Sequence, residues 1–299
     1  MNNRTLKKIK IGVLGADGQL GMELRHIAPG QEHIHFDFFS KSQLDITNVK
    51  DVKQNIATNV YDYIINCAAY TAVDKAETDI DRCHNINVEG CKNIVSALEN
   101  SPTKVVYISS DYVYHTYDGF PLKEDHQTAP KGIYAQSKLE GEQVFRNAKI
   151  PTLILRTSWV ISSYGHNFVK TMLRLGKEKT TLNVVNDQYG APTYARHLAS
   201  AIVDIISDDH LKQDAKNRKF DDTYNFANEG FVTWCDIASY VMKIAQLNCK
   251  ILPISTQDYP TPALRPQWSV MSKAKIKKAY YLEIQHWTTG VKECIEAME

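Results

Sequence analysis

No apolar run in the 299 residues approaches the roughly 20 needed to span a bilayer as a helix, so no helical membrane span is expected. There is no internal repeat, low-complexity tract or Gly/Ser linker, so solenoids and flexible multi-module chains are excluded too. Charge of one sign is missing as well: 35 Lys and Arg face 34 Asp and Glu, giving a formal net charge of +1. A chain-wide basic surface for nucleic acid is therefore not expected. The six cysteines, Cys67, Cys83, Cys91, Cys235, Cys249 and Cys294, form no CxxC pair and no Cys/His cluster of zinc-finger spacing. The expectation is six free thiols in a reducing cytoplasm and no metal site. Met1 to Lys10 is basic but lacks an apolar core and runs straight into a strand-like segment, so it is not read as a targeting signal.

What is present is an alternation. Ile9–Leu14 reads as a first strand, Gln19–Ile27 as a helix and His33–Phe39 as a second strand. Further strands are expected at Tyr61–Asn66, Lys104–Ile108 and Thr152–Arg156, with helices at Ile80–Leu98 and Tyr134–Phe145 between them. β-Branched runs alternating with amphipathic helices predict an α/β fold, a doubly wound parallel sheet covered on both faces. After about Trp159 the pattern loosens. Helices are expected at Asn167–Gly176 and Ala195–Ile206, a strand at Thr181–Val185, and an exposed polar loop at Asp208–Asp222. Thr233-Trp234-Cys235-Asp236 has the form of a capping box opening a helix to Ala245. Three prolines between Asp258 and Pro266 predict an extended, rigid segment. The expected division is a sheet domain of residues 1–158 plus about 193–222, and a smaller substrate-binding lobe of about 159–192 plus 223–299.

The first strand ends in Gly15-Ala16-Asp17-Gly18-Gln19-Leu20-Gly21. The first glycine permits a tight turn, the second lets backbone approach a pyrophosphate, and the third lets the helix pack closely on the sheet. The helix N-terminus then presents free N–H groups to phosphate. After a strand and before a helix, this spacing predicts a Rossmann-like dinucleotide site. Asp37, about 20 residues on, stands where an acid accepts from the adenosine ribose hydroxyls, or is a surface acid with no ligand. Ser40 and Lys41 follow closely and could hold a 2′-phosphate, so the choice between NADH and NADPH stays open.

Tyr134-Ala135-Gln136-Ser137-Lys138 opens a helix and puts Tyr134 and Lys138 on one face, a turn apart. A ketone reductase must protonate the alkoxide that hydride delivery creates. An ammonium near a tyrosine is expected to lower its pKa and suit it to that step. Upstream, one strand ends in Ser109-Ser110-Asp111-Tyr112, where a hydroxyl could polarise a carbonyl, and another in Asn66-Cys67-Ala68-Ala69, whose small residues leave room for a cofactor. All lie at the C-terminal ends of strands, the edge at which such sheets bind ligands.

Together these features resemble the extended short-chain dehydrogenase/reductases. Longer stretches sharpen the likeness to the dTDP-4-dehydrorhamnose reductases: Ala68 to Glu77, Ser110 to Val113, Arg156 to Val160, Asn167 to Leu175, Asn186 to Thr193, Tyr259 to Ala263 and Arg265-Pro266. The resemblance implies hydride transfer from NADPH or NADH to the C4 ketone of a dTDP-sugar. It implies Tyr134 as proton donor, Lys138 as its modulator and cofactor ligand, and Ser110 at the carbonyl. It also implies Val73, Asp111, Tyr112 and Trp159 around the sugar. Gln19, Leu20, Asp37, Asp45, Ile46, Ala69, Tyr70 and Thr71 match positions that touch the cofactor. Arg265 is expected either to pair with the diphosphate or to form a structural salt bridge. A cytoplasmic monomer or homodimer, with no nucleic-acid or membrane partner, is the matching expectation.

The chain departs from that family's pattern at Ser110 (usually Thr), Ala135 (usually Gly), Ile161-Ser162 (usually Tyr-Gly), Met271-Ser272 (usually a Leu-Asp type ending) and around His115, where an Asp-Gly turn is usual. The hydroxyl survives at Ser110, so these changes bear on specificity more than on catalysis. Two other readings stay open: a reductase or epimerase of a related nucleotide sugar, which would keep the Tyr/Lys pair, and a non-catalytic regulatory subunit of a methionine adenosyltransferase. An intact Ser110, Tyr134 and Lys138 argues against the last.

Overall fold

The computed structural model describes residues 8–116, 119–211 and 220–298. Five strands, β1 (Ile9–Leu14), β2 (Ile34–Phe39), β3 (Tyr63–Asn66), β4 (Lys104–Ser110) and β5 (Thr152–Thr157), join Asp222–Phe226 in one six-stranded sheet. Across the sheet the order is Asp222–Phe226, β5, β4, β3, β1, β2, and every pairing is parallel. The chain leaves β1 in one direction to make β2 and returns on its other side to make β3. Crossovers therefore diverge between β1 and β3 and open a crevice at the strands' C-terminal ends, where the glycine turn follows β1.

Both faces of the sheet are covered, as the near-continuous apolar strands require. On one face Ile11, Val13, Leu153 and Leu155 pack under the first helix, α1 (Gln19–Ile27), and the helix Ala195–Leu211. On the other, Leu14, Ile64, Val105 and Tyr107 pack under the helices Gly90–Ala97 and Ile133–Asn147. Each fully buried Leu, Ile or Val contributes about 1.5–3 kcal/mol.

The predicted helix Ile80–Leu98 is present with a difference. Residues Asn85–Glu89 form a wider π turn between α-helical Ile80–His84 and Gly90–Ala97. Asn87 supplies a reason: it is buried and spends its amide on Tyr70, taking the Tyr70 N–H at 2.9 Å and donating to its carbonyl at 3.2 Å. Of the predicted loop Asp208–Asp222, residues 208–211 finish a helix, 220 is buried, 222 begins a strand, and 212–219 lie outside the described residues.

The expected division at about 222 needs correction. It would cut Asp222–Phe226, which pairs with β5 along its whole length. The helix Ala274–Tyr280 also belongs with the sheet, since Ile276 and Tyr280 pack into the same core as Tyr224 and Phe226. Sequence alone left that strand inconspicuous because polar Asp222, Thr223 and Asn225 interrupt it.

A separate apolar core lies between the helices Phe168–Glu178, Trp234–Ile244 and Trp287–Glu296 and the paired strands Thr181–Val185 and Lys250–Ile254. The capping box forms as expected: Thr233 accepts from the Asp236 N–H, and Asp236 accepts from the Thr233 N–H. Among the described residues no helix is long and apolar enough to cross a membrane, and no group of three or more His, Cys, Asp and Glu is placed to hold a metal.

Candidate active site

The glycine turn is built as a cradle. Gly15 has φ +72°, and a Cβ there would come within 2.6 Å of the Ala68 nitrogen. A Cβ on Gly21 would meet Ala16 Cα and the Gly15 carbonyl at 2.6 Å. Gly18 caps α1 with no side-chain bond, so the first-turn N–H groups of that helix remain for an anion. Gly15, Gly18, Asp45, Ile46 and Ala69 line one cavity with Lys41. Asp45 holds the shape of its rim by accepting from the Thr47 N–H at 3.0 Å and hydroxyl at 2.8 Å. Burial works to raise its pKa, but those bonds and Lys41 at 3.6 Å outweigh it and hold the carboxyl below its usual value. A cradle without side chains at the turn, facing a helix N-terminus, fits a dinucleotide pyrophosphate.

The other cofactor-matched positions are placed unevenly. Leu20 is in the core, so only its backbone faces the turn. Gln19 turns away to accept from Asn167 at 2.9 Å. Tyr70 is buried with its hydroxyl donating to Asp79 at 3.1 Å, and Thr71 is exposed. Asp37 lies on β2 opposite Gly12, two residues short of the strand end. Its carboxylate accepts from the Tyr61 hydroxyl at 2.9 Å, with His35 at 3.1 Å and Lys10 at 3.7 Å.

At the end of β4 the structure brings Ser110, Asp111 and Tyr112 beside the helix Ile133–Asn147. Ser110 donates to Asp111 Oδ1 at 3.0 Å and accepts from the Tyr112 N–H at 3.3 Å. Asp111 is buried and its Oδ2 has no hydrogen-bond partner among the described residues. Burial pushes its carboxyl up to about 6, against hydrogen bonds from Ser269 and Ser110. The rings of Tyr112 and Tyr134 meet edge-on with centroids 5.6 Å apart. Arg265 stands against Tyr112 and pairs with Asp74, next to Val73, at 2.6 Å. Tyr134, Tyr112, Arg265 and Asp74 thus form one line of contacts.

Lys138 is buried. It donates to the Ile108 carbonyl at 2.7 Å and lies 4.3 Å from the centre of the Tyr107 ring. Burial lowers its pKa to about 8. The expected depression of Tyr134 by this lysine is not found: burial pushes the phenol well above its usual value, with only a Ser110 hydrogen bond opposing. Tyr134 is therefore a phenol at neutral pH, the form a proton donor needs. Trp159 adopts φ +46°, stacks on Trp234 at 3.8 Å between centroids, and lies so close to Gly190 that a Cβ there would come within 2.7 Å.

Sequence reasoning missed Asp74 as the partner of Arg265, Trp234 as the partner of Trp159, and Asn87. Only Asn87 left a signal: a polar residue on the apolar side of a helix. Its amide also donates to Ser137 at 2.9 Å, tying the Tyr70 loop to the catalytic helix. An apolar groove lined by Phe168, Met172, Leu182, Val184 and Trp234, with Gln188, ends at Arg265.

Residues 9–299 match the family described as RmlD substrate binding domain. The chain is 35% identical to a dTDP-4-dehydrorhamnose reductase of Aggregatibacter actinomycetemcomitans, over 94% of this chain and 96% of that one. It is 36% identical to the Escherichia coli dTDP-4-dehydrorhamnose reductase, over 97% and 98% of the two chains. A crystal structure of dTDP-4-dehydrorhamnose reductase from Bacillus anthracis in complex with NADP superposes with a TM-score of 0.89 at 35% identity, covering 97% of this chain and 99% of that one.

Proposed function

The chain belongs to the RmlD substrate-binding-domain family, and on that footing we propose that it is a dTDP-4-dehydrorhamnose reductase, converting dTDP-4-dehydro-β-L-rhamnose to dTDP-β-L-rhamnose with NADPH or NADH. The observation that carries the reading is the meeting of Ser110, Tyr134 and Lys138 at the strand ends of a sheet whose glycine turn is a phosphate cradle.

The reduced nicotinamide, when bound, supplies the hydride that reaches C4 of the sugar. Tyr134, a phenol at neutral pH, gives its proton to the developing alkoxide. Lys138 then stabilises the phenolate and turns its ammonium from the Ile108 carbonyl toward the ribose hydroxyls. Ser110 turns its hydroxyl from Asp111 to the carbonyl oxygen, where it polarises the ketone. Asp111 Oδ2 is left to accept from a sugar hydroxyl. Val73, Tyr112 and Trp159 complete the sugar pocket in this reading. Arg265 keeps Asp74 on one edge and offers its remaining N–H groups to the diphosphate, with the apolar groove beyond it taking the nucleoside. Gly15, Gly18, Gln19, Leu20, Gly21, Asp45, Ile46, Ala69, Tyr70 and Thr71 line the path of the dinucleotide.

The sheet domain in this proposal comprises residues up to 158, about 193–226 and the helix Ala274–Tyr280; the remainder binds the nucleotide sugar. The enzyme works in the cytoplasm as a monomer or homodimer.

The test is oxidation of NADPH and NADH with enzymatically prepared dTDP-4-dehydrorhamnose, in wild type and Tyr134→Phe. Turnover should fall by about 10²–10⁴-fold in the variant with NADPH affinity little changed. Retention of most activity would overturn the assignment of the proton donor; no turnover in wild type would overturn the substrate.

A further inference from the structure

The loop 162–167 lies between the short strand Val160–Ile161 and the helix Phe168–Glu178. It carries the helix whose Phe168 and Met172 line the apolar groove. The same loop rests on α1, the helix that starts at the glycine turn. Two hydrogen bonds join them. The Ser162 hydroxyl donates to Glu23 Oε1 at 2.7 Å, and Asn167 Nδ2 donates to Gln19 Oε1 at 2.9 Å. Gln19 and Glu23 are one helical turn apart, so both bonds leave one face of α1, while Leu20 and Leu24 hold another face in the core of the sheet. Gly165, at φ +65°, lets the loop backbone close on Gln19: a Cβ there would come within 3.1 Å of Gln19 Cγ.

The surroundings specify both bonds. Asn167 Oδ1 accepts from the Lys170 N–H at 3.1 Å as the cap of its helix, and Nδ2 also donates to the Ser162 carbonyl at 2.7 Å. The cap decides which side of the Asn167 amide faces Gln19, so Gln19 must present its oxygen. That leaves Gln19 Nε2, on the first residue of α1, with both N–H groups to give. Glu23 and Ser162 are fully buried, and Arg196 holds the second Glu23 oxygen at 2.8 Å. A hydroxyl bonded to a buried carboxylate is among the stronger hydrogen bonds. Ser162 stands where the resembled reductases usually carry Gly, so this hold on α1 is a feature of this chain.

We propose that these two bonds form a clasp through which a dinucleotide in the glycine cradle orders the wall of the apolar groove, with Asn167 and Ser162 as positioning residues. An anion at the start of α1 immobilises its first turn. Gln19 and Glu23 project from that turn and the next, so the loop 162–167 and the helix it caps are ordered with them. A ligand entering the groove afterwards has less ordering to supply. The first ligand therefore strengthens the second, and linkage makes the effect mutual. The gain for hydride transfer is geometric, since two ligands bound on different elements must meet at about 3–3.5 Å. That the groove takes a nucleotide rests on the function proposed above; the clasp itself rests on α1 and the loop alone.

The experiment is hydrogen–deuterium exchange of the whole protein with and without NADPH, in wild type and in the double variant Ser162→Ala, Asn167→Ser. Serine keeps a cap on the helix but is too short to reach Gln19. In wild type, NADPH should protect α1 and, beyond it, residues 162–178. In the variant α1 should stay protected while 162–178 no longer responds. The second readout is calorimetric dTDP affinity with and without saturating NADPH: about tenfold tighter with NADPH in wild type, and no more than about twofold tighter in the variant. A wild-type loop indifferent to NADPH, or a variant loop that responds as the wild type does, would overturn the clasp. So would a variant in which dTDP weakens equally with and without NADPH, which is what a merely structural contact gives. An exchange response that depends on Ser162 and Asn167 in a protein that binds no dTDP would leave the clasp standing and remove only the nucleotide reading of the groove.

Discussion

Glu142, one turn beyond Lys138 on the same helix, grips Arg156 of β5 with both carboxylate oxygens, at 2.8 Å to Nε and 2.7 Å to Nη2. The Ser109 hydroxyl donates to the same carboxylate at 2.5 Å, and Arg146 does so at 3.1 Å. Burial works to raise the Glu142 pKa; Arg156, Ser109 and Arg146 outweigh it and keep the group ionised. Ser109 precedes Ser110, so this ion pair fixes the helix that carries Tyr134 and Lys138 against the strand that carries Ser110. Glu142→Ala leaves the Arg156 guanidinium buried and unpaired, which should cost about 3–5 kcal/mol of stability. The double variant Glu142→Gln with Arg156→Met removes both charges and should recover most of that loss. Chemical denaturation measures both, and equal losses in the two proteins would show that the unpaired charge is not the cause.

Gly21 has ordinary helical geometry, yet a methyl there has no room: it would sit 2.6 Å from Ala16 Cα and the Gly15 carbonyl. Backbone, not a movable side chain, blocks it. Gly21→Ala should therefore push α1 off the turn and weaken NADPH by at least about tenfold, the equivalent of one misplaced hydrogen bond of about 1.4 kcal/mol. Fluorescence titration of NADPH reads the effect directly. The contrast with Tyr134→Phe matters, since that variant should lose turnover and keep the cofactor. Tight NADPH binding by Gly21→Ala would remove the close-packing role given to this glycine.

The sheet and its glycine turn were legible in the sequence because both depend on local pattern. β1 and α1 have the boundaries that their apolar spacing and the glycines predict. Tyr134 and Lys138 were legible for the same reason, being a turn apart on one helix. What the sequence did not disclose depends on tertiary neighbours. Asp37 has the spacing of a ribose ligand, and its partner Tyr61, 24 residues on, could not be read from that spacing. The pKa of Tyr134 was expected to fall by proximity to a lysine, yet burial of the ring, with Asp111 adding to it, moves it the other way. The strand Asp222–Phe226 hid behind polar residues whose partners lie elsewhere: Asn225 receives the Tyr114 hydroxyl at 2.8 Å, and Thr223 receives Arg146.

Asp111 is a carboxylate held where charge is unwelcome, and its stability effect has a definite sign. Its folded pKa of about 6 lies above the model-peptide value of 3.8. Between those values the native protein binds more protons than the unfolded chain, so stability falls as pH rises from about 4 to 6. Asp111→Asn, neutral throughout, should thus gain on wild type as pH increases, by about 2–3 kcal/mol at pH 7 relative to pH 4. It should also lose affinity for the sugar. Thermal unfolding at the two pH values tests this, and a difference between the proteins that does not change with pH would mean that Asp111 is comfortably ionised in the fold.

The basic side of the activity profile should belong to Lys138. Burial brings its pKa down to about 8, and ionised Glu142, four residues on, works against that fall. The ammonium form is the one that stabilises a phenolate and donates to a ribose hydroxyl, so kcat/KM should hold below about pH 7 and decline through pH 8. Cys91 and Cys83 border the same lysine, but burial keeps both thiols protonated there, so they add no charge in this range. Removing Glu142 together with Arg156 takes away the supporting negative charge. The decline should then begin at lower pH, while Lys138→Met should abolish turnover at every pH. A basic limb that stays in place in the Glu142→Gln, Arg156→Met protein would mean that the group titrating near pH 8 is not this lysine, or that the carboxylate one turn away does not reach it.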